Sequence, residues 1–189
     1  MTKFLAAALA VTALASAMPG MAAEPFKDAL ELQGFSFAIE ATNEGSINQL
    51  KITPKGLTED NKPAESEIEG MVSGAEIGDL DGDGFPEVYV YVTSAGSGSY
   101  GSLVAYAVNN GKSMTPVYLP PIADDAKASK GYLGHDEFAV LEGVLGRRFP
   151  IYNEGDTNAD PSGKTRQLQY KLVPGEAGWV LKLKDITEF

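Results

Sequence analysis

The chain has 189 residues, a formal net charge of −11 at pH 7 and no cysteine. The missing cysteine excludes disulfides, thiol catalysis, iron–sulfur clusters and zinc–thiolate sites. The acidic balance argues against binding of nucleic acid, whose phosphates require a basic surface. It is compatible with plain solubility or with electrostatic steering toward a basic partner.

The first 23 residues are predicted to be a secretory signal peptide. Lys3 supplies the basic start, residues 4–18 are uncharged and mostly Ala, Leu and Val, and small residues follow up to Ala23. Such a run is short for a membrane anchor. We therefore expect cleavage near Ala22 or Ala23, export to the periplasm, and one domain over residues 24–189 that has no membrane attachment.

In the predicted mature chain the apolar runs are short, as is typical of strands. Strands are expected at residues 35–41 and 50–52 around a turn at 42–46, at 71–77, and at 88–93 and 103–108, with an acidic loop at 58–69 and a turn at 109–111. Residues 117–122 contain two prolines and are expected to form an edge strand or an extended connector. Residues 124–130 are expected to form a short helix.

The last third of the chain continues the same pattern. Residues 137–152 read as strands broken by Gly143 and Gly146, and residues 153–163 as a polar loop. Alternating apolar residues on both sides of 174–178 predict a hairpin. The fold class expected is mainly β, a twisted antiparallel sheet or β-sandwich with a minor short helix.

An acidic turn precedes the strongest predicted strand. Carboxylates stand at alternate positions, Asp79, Asp81 and Asp83, followed by Gly84 and Glu87. Such a spacing can converge on a calcium ion, although Val90 at the twelfth position departs from an EF-hand. The alternative is a tight turn whose aspartates accept hydrogen bonds from the backbone. The candidate metal ligands are therefore Asp79, Asp81, Asp83 and Glu87.

The stretch that we call the serine-glycine loop, residues 94–102, consists of Ser, Gly and Ala except for Tyr100. It matches G-x-G-x-x-G, but the following residues read as a strand rather than the helix that a dinucleotide site needs. No serine in it has the G-x-S-x-G pattern of a nucleophile elbow, and His135 is the single candidate base. A third interpretation is a slim loop, with a tyrosine anchor, that enters a cleft of another protein.

Several segments carry a family resemblance. In chain order these are residues 79–87 leading into Val-Tyr-Val-Tyr-Val, then Ser97-Gly-Ser-Tyr100, Gly134-His-Asp-Glu-Phe138, Arg147-Arg-Phe-Pro-Ile-Tyr152 and Tyr170-Lys-Leu-Val-Pro-Gly-Glu-Ala-Gly-Trp179. Together they resemble the bacterial periplasmic inhibitors of invertebrate-type (i-type) lysozyme, over most of the predicted mature chain.

The resemblance implies a β-rich fold and a non-enzymatic role in protecting peptidoglycan. It implies that the serine-glycine loop plugs the lysozyme cleft through Ser97 and Tyr100, with Gly96, Gly98, Ser99 and Gly101 alongside. No cofactor is required for this role. The binding of Ca²⁺ and the formation of a homodimer both remain possible. The rival function is a calcium-dependent binding module of the envelope that uses residues 79–87, and a weaker rival is a hydrolase that uses His135.

Overall fold

The computed structural model describes residues 24–189, so the predicted signal peptide at 1–23 lies outside the described residues. Twelve strands, one 3₁₀ turn and one short helix follow in chain order: β1 Phe26–Leu32, β2 Phe35–Ala41, β3 Ile47–Lys55, β4 Ala64–Glu69, β5 Met71–Gly78, β6 Glu87–Thr93, β7 Gly101–Asn109, β8 Ser113–Tyr118, the 3₁₀ turn Ile122–Asp124, α1 Ala126–Ser129, β9 Glu137–Leu141, β10 Val144–Pro150, β11 Thr165–Gly175 and β12 Gly178–Glu188.

The strands form two sheets. The smaller has the order β1-β2-β3-β4, and the larger has the order β5-β6-β7-β8-β12-β11-β10-β9. Neighbouring strands pair in antiparallel fashion, except that β8 and β12 run parallel over two residue pairs, Trp179 with Val117 and Val180 with Tyr118. Most pairings join strands that follow each other in the chain, because short turns connect them.

Strand β6 supplies both hydrophobic cores of the protein. Successive side chains of a strand point to opposite faces. Val88, Val90 and Val92 therefore pack with residues of the smaller sheet such as Phe37 and Ile52, while Tyr89 and Tyr91 pack with residues of β10, β11 and β12. The first core makes a sandwich of the two sheets, and the second fills the inside of the curved larger sheet.

The larger sheet curls until its outer strands, β5 and β9, meet. The carboxylate of Glu76 on β5 accepts a hydrogen bond from the backbone N–H of Val140 on β9 at 2.6 Å. The same carboxylate accepts a hydrogen bond from the hydroxyl of Tyr91 on β6. This contact brings the end of β6, where the serine-glycine loop begins, close to the segment that precedes β9.

The expected mainly β architecture with minor helix is confirmed, with four differences in detail. The acidic loop expected at 58–69 ends earlier, because residues 64–69 form β4, which pairs with β3. Strand β1 was not expected, because its charged residues hide the alternation in an edge strand that is largely exposed. Gly146 does not break a strand but lies within β10, and the side chain of Leu141 lies over it. The segment at 117–122 is not an edge strand, since its first two residues end β8, which pairs with both β7 and β12. Its prolines lie in the connector between β8 and the 3₁₀ turn, as the alternative expectation had it.

No helix among residues 24–189 has the length and hydropathy of a membrane span.

Candidate functional site

Residues 94–100 of the serine-glycine loop connect β6 to β7, and its last two residues, Gly101 and Ser102, begin β7. The connection is closed at its base. The two strands pair as far as Thr93 and Gly101. Beyond this pair the N–H of Ser94 donates to the carbonyl of Tyr100 at 2.8 Å, and the N–H of Tyr100 donates to the Ser94 hydroxyl at 2.9 Å. Ser94 thus closes the base of the loop through hydrogen bonds of both its backbone N–H and its side-chain hydroxyl.

The tip of the loop is exposed to solvent. Ala95, Gly96 and Ser97 are exposed, and Gly96 has a φ of +135°, which a residue with a Cβ rarely adopts. The N–H of Ser99 donates to the Gly96 carbonyl at 3.3 Å, so the tip is a tight turn. The tip of the loop is therefore not covered by the rest of the protein.

The ring of Tyr100 is partly packed against the protein and partly free. It remains 45% exposed. It forms a T-shaped pair with the ring of Tyr132, with centroids 5.7 Å apart, and it lies so close to Gly98 that a Cβ there would collide with it. An aromatic ring presented in one orientation loses little entropy when it binds.

The segment before β9 supports the loop from below. The N–H of His135 donates to the carbonyls of Gly98, at 2.9 Å, and Ser99, at 3.2 Å. Gly134 has a φ of +94°, and a Cβ there would collide with the carbonyl oxygen of Gly98. Glycine is thus required at 134 for the two segments to approach.

Beneath this contact lies a buried network of polar side chains. The Asp136 carboxylate accepts hydrogen bonds from Arg147 Nε at 2.7 Å, the Tyr132 hydroxyl at 2.6 Å and the N–H of Gly101 at 2.7 Å. Arg147 also donates to the Tyr132 hydroxyl at 2.9 Å. Burial and the hydrogen bond to Asp136 raise the pKa of Tyr132, which stays protonated as a donor.

We call Tyr132, Asp136 and Arg147 the brace. The Arg147 and Asp136 side chains are 5% and 0% exposed. Asp136 fixes the end of the loop at Gly101, and Tyr132 fixes the ring of Tyr100. The brace therefore connects the interior of the larger sheet to the exposed Tyr100 and to Gly101, the residue that follows it.

Asp136 and Arg147 lie in segments that carry the family resemblance, but the sequence assigned no role to either of them or to Tyr132. A signal was present in β10, where Leu145, Arg147 and Phe149 occupy one face of the strand. A charged residue between two core positions indicates a buried ion pair. Nothing in the sequence identified Asp136 as its partner, since Glu137 and Asp136 are adjacent acids.

The side chain of His135 does not form a pair with a loop serine. Its Nε2 atom lies 3.0 Å from Oδ1 of Asn158, and its ring stacks on Tyr152. Asn158 in turn donates to the Leu133 carbonyl at 3.3 Å. The histidine connects the loop at 153–163 to the support of the serine-glycine loop.

The acidic turn brings its four predicted ligands together. One carboxylate oxygen from each of Asp79, Asp81, Asp83 and Glu87 can be chosen so that all four lie within 4.8 Å of one another. Oxygen ligands converging in this way suit a calcium ion. The hydrogen bonds expected of a tight turn are also present. The Asp79 carboxylate accepts hydrogen bonds from the N–H groups of Gly82 and Gly84, and the Asp83 carboxylate accepts one from the N–H of Phe85.

Glu87 is the buried member of this set, at 2% exposure. It accepts hydrogen bonds from the N–H of Leu80 at 2.8 Å and the Tyr89 hydroxyl at 3.3 Å. Burial raises the pKa of Glu87 to about 8, and the nearby carboxylate of Asp81 adds to the rise, against the hydrogen bond from Leu80. A cation bound at the turn would compete with the proton on Glu87.

We expect the metal-free protein to lose stability as the pH rises from about 5 to about 8. The folded-state pKa of Glu87 lies above its ordinary value, so the native state binds more protons in this interval and folding is favoured at the acidic end. The contribution is at most about 1.4 kcal/mol per pH unit. Urea unfolding in chelator at several pH values measures it, and Glu87→Gln should give a flatter profile. Equal slopes for the two proteins would contradict the assignment.

Comparison of the chain with protein-family models, with curated proteins and with solved structures found no match.

Proposed function

We propose that this protein inhibits i-type lysozyme by inserting the serine-glycine loop into the active-site cleft. The single observation that carries the proposal is the loop itself: an exposed, narrow tip beside a half-exposed Tyr100 that packs against the brace. The family resemblance of the segments around it supports the same function. In the periplasm, the inhibitor would protect peptidoglycan from hydrolysis.

Inhibition follows from what a lysozyme cleft contains. Glycoside hydrolysis uses two carboxylic groups, one of them protonated, on either side of the scissile bond. The hydroxyls of Ser97 and Tyr100 can donate hydrogen bonds to these groups. A bond to the ionised carboxylate is worth about 1.5–3 kcal/mol because the acceptor is charged, and a bond to the protonated acid is worth about 0.5–1.5 kcal/mol. The loop offers no glycosidic bond, so it occupies the cleft without being cleaved.

The conformation of the loop adds to the affinity. The hydrogen bonds between Ser94 and Tyr100, and the two that the His135 N–H donates, order the loop backbone before any partner binds. A loop that is ordered in advance loses less conformational entropy on binding than a flexible one. Glycines at 96, 98 and 101 keep the inserted segment slim and leave backbone groups able to bond where sugar hydroxyls would.

Inhibition assays test the proposal directly. Purified protein comprising residues 24–189 is added to i-type, chicken-type and goose-type lysozymes acting on bacterial cell walls. We expect inhibition of the i-type enzyme, and weaker inhibition at higher salt if the enzyme is basic, because the net charge of this chain is negative. Full activity of the i-type enzyme in the presence of excess protein would contradict the proposal.

A second candidate function rests on the acidic turn. Four carboxylates that can converge within 4.8 Å favour a calcium-dependent module of the envelope that recognises glycan or another exported protein. In that case the ion would order the start of β6 and the binding surface would depend on it.

Calcium titration separates the two functions. If the turn binds calcium, calorimetry gives heat, and the melting temperature rises with calcium and falls with chelator, by mass action on the native state. Asp81→Asn with Asp83→Asn should abolish both effects, while Glu65→Gln with Glu67→Gln on β4 is the matched control. Lysozyme inhibition that persists in chelator favours the loop plug, whereas loss of all binding favours the calcium module.

A further inference from the structure

We infer that the surface that meets the lysozyme comprises the serine-glycine loop and two apolar shoulders, Ile47 on one side and Leu133 on the other. This inference rests on the proposed function. Residues 24–189 expose five large hydrophobic side chains, and three of them, Ile47, Tyr100 and Leu133, lie in or beside the loop. Exposed apolar residues gathered around one protruding element are typical of an interaction site.

The Ile47 shoulder belongs to the smaller sheet. Ile47 is 60% exposed at the start of β3, and with Ser46 and Glu69 it lines a shallow groove that Ser94 and Ala95 of the loop complete. The shoulder is rigidly attached to the loop base. Gly70, at the end of β4, lies so close to Thr93 and Ser94 that a Cβ would collide with them.

Buried asparagine hydrogen bonds fix the same corner. The Asn48 side chain is 2% exposed and donates to the carbonyls of Gly45, at 2.8 Å, and Gly70, at 2.7 Å. The N–H of Gly70 donates to the Ser46 carbonyl at 2.8 Å. Ile47 is therefore presented on a fixed turn next to the loop.

The Leu133 shoulder lies on the Tyr100 side. Leu133 is 40% exposed and stands between Tyr132, whose ring contacts Tyr100, and Gly134, which touches Gly98. Its carbonyl accepts a hydrogen bond from Asn158, which joins it to the loop at 153–163. Leu133 is thus held in place by its two neighbours in the chain, Tyr132 and Gly134, which both contact the serine-glycine loop.

The size of a stable interface explains why shoulders are needed. A specific complex buries about 800 Å² on each partner, over roughly 20–30 residues. A nine-residue loop of small side chains falls short of this. Apolar contacts around a central anchor exclude water from it, so its charge-assisted hydrogen bonds are made in a drier environment. The occupant we assign to the shoulders is the apolar rim of the lysozyme cleft.

The test compares Ile47→Ser and Leu133→Ser with Tyr118→Ser, an exposed tyrosine whose neighbours lie on β8 and β12. Calorimetry with an i-type lysozyme gives the Kd of each. We expect each shoulder variant to bind about five- to tenfold more weakly, and the double variant by about the product, since the two lie beside different parts of the loop and share no contact partner. The Tyr118 variant should bind as the unaltered protein does.

Affinities for both shoulder variants within twofold of the unaltered protein would overturn the inference. If Tyr100→Ala still abolished binding, the proposed function would stand without the shoulders; if the unaltered protein did not bind the lysozyme at all, the proposed function itself would fail. Hydrogen exchange on the unaltered complex is the second measurement and needs no variant. Protection at residues 46–49 and 132–135 as well as 94–102 is expected, and protection confined to 94–102 would also overturn the inference.

Discussion

Asp136→Ala is expected to lower the free energy of unfolding by about 3–5 kcal/mol, because it leaves the Arg147 guanidinium buried without a counter-charge. The substitution also removes the acceptors of the Tyr132 hydroxyl and the Gly101 N–H. For a chain of this size the melting temperature should fall by roughly 6–20 °C. Urea and thermal unfolding of the two proteins measure the change.

Two controls make this result specific to the buried pair. Glu65→Ala removes an exposed ion pair with Lys51 at 3.7 Å, and should change stability by less than about 1 kcal/mol. Replacing both partners, Asp136→Leu with Arg147→Met, should recover much of the loss, since no unpaired charge remains. A cost below 1 kcal/mol for Asp136→Ala would show that water reaches Arg147 and that the brace does not depend on this carboxylate.

Tyr100→Ala is expected to weaken binding to i-type lysozyme by about 2 kcal/mol or more, which is roughly 30-fold in Kd. The substitution removes both the ring and the hydroxyl from the centre of the proposed interface. Stability should change little, because 45% of the residue is exposed and its partner Tyr132 remains bonded to Asp136 and Arg147. Calorimetry and inhibition assays provide the two affinities.

Related variants separate the contributions of the Tyr100 ring, the Tyr100 hydroxyl and the Ser97 hydroxyl to the affinity. Tyr100→Phe keeps the ring and should recover the share of affinity that comes from packing, while Ser97→Ala should cost less than Tyr100→Ala. Tyr118→Ala serves as the control for loss of an exposed tyrosine. If the combined Ser97→Ala and Tyr100→Ala variant inhibits as well as the unaltered protein, the loop is not the inhibitory element.

The strands were predictable where burial shapes their composition. Both faces of β6 are buried, so residues 88–93 form a continuous run of β-branched and aromatic residues, whereas β11 buries one face and its apolar residues alternate from Leu168 onward. Strand β1 was not predicted, because an edge strand buries little apolar surface and the charged residues Lys27, Asp28 and Glu31 interrupt the alternation of apolar and polar residues. The parallel pairing of β8 with β12 also escaped, since two residue pairs leave no pattern in either segment.

The candidate site was predictable in its exposed parts but not in its support. Composition alone identified residues 94–102, and spacing alone identified the acidic turn, because both are continuous in sequence. The brace joins residues 132, 136 and 147 with Gly101, which are brought together by the curl of the sheet. Contacts made by tertiary packing carry no local periodicity, so one sequence cannot reveal which acid meets Arg147.

The two faces of β6 couple the unfolding of the whole protein. Its valines belong to one core and its tyrosines to the other, so neither core can open without exposing residues of the strand that the other core needs. We therefore expect the sandwich and the curled sheet to unfold as one cooperative unit, with a single heat-absorption peak in calorimetry.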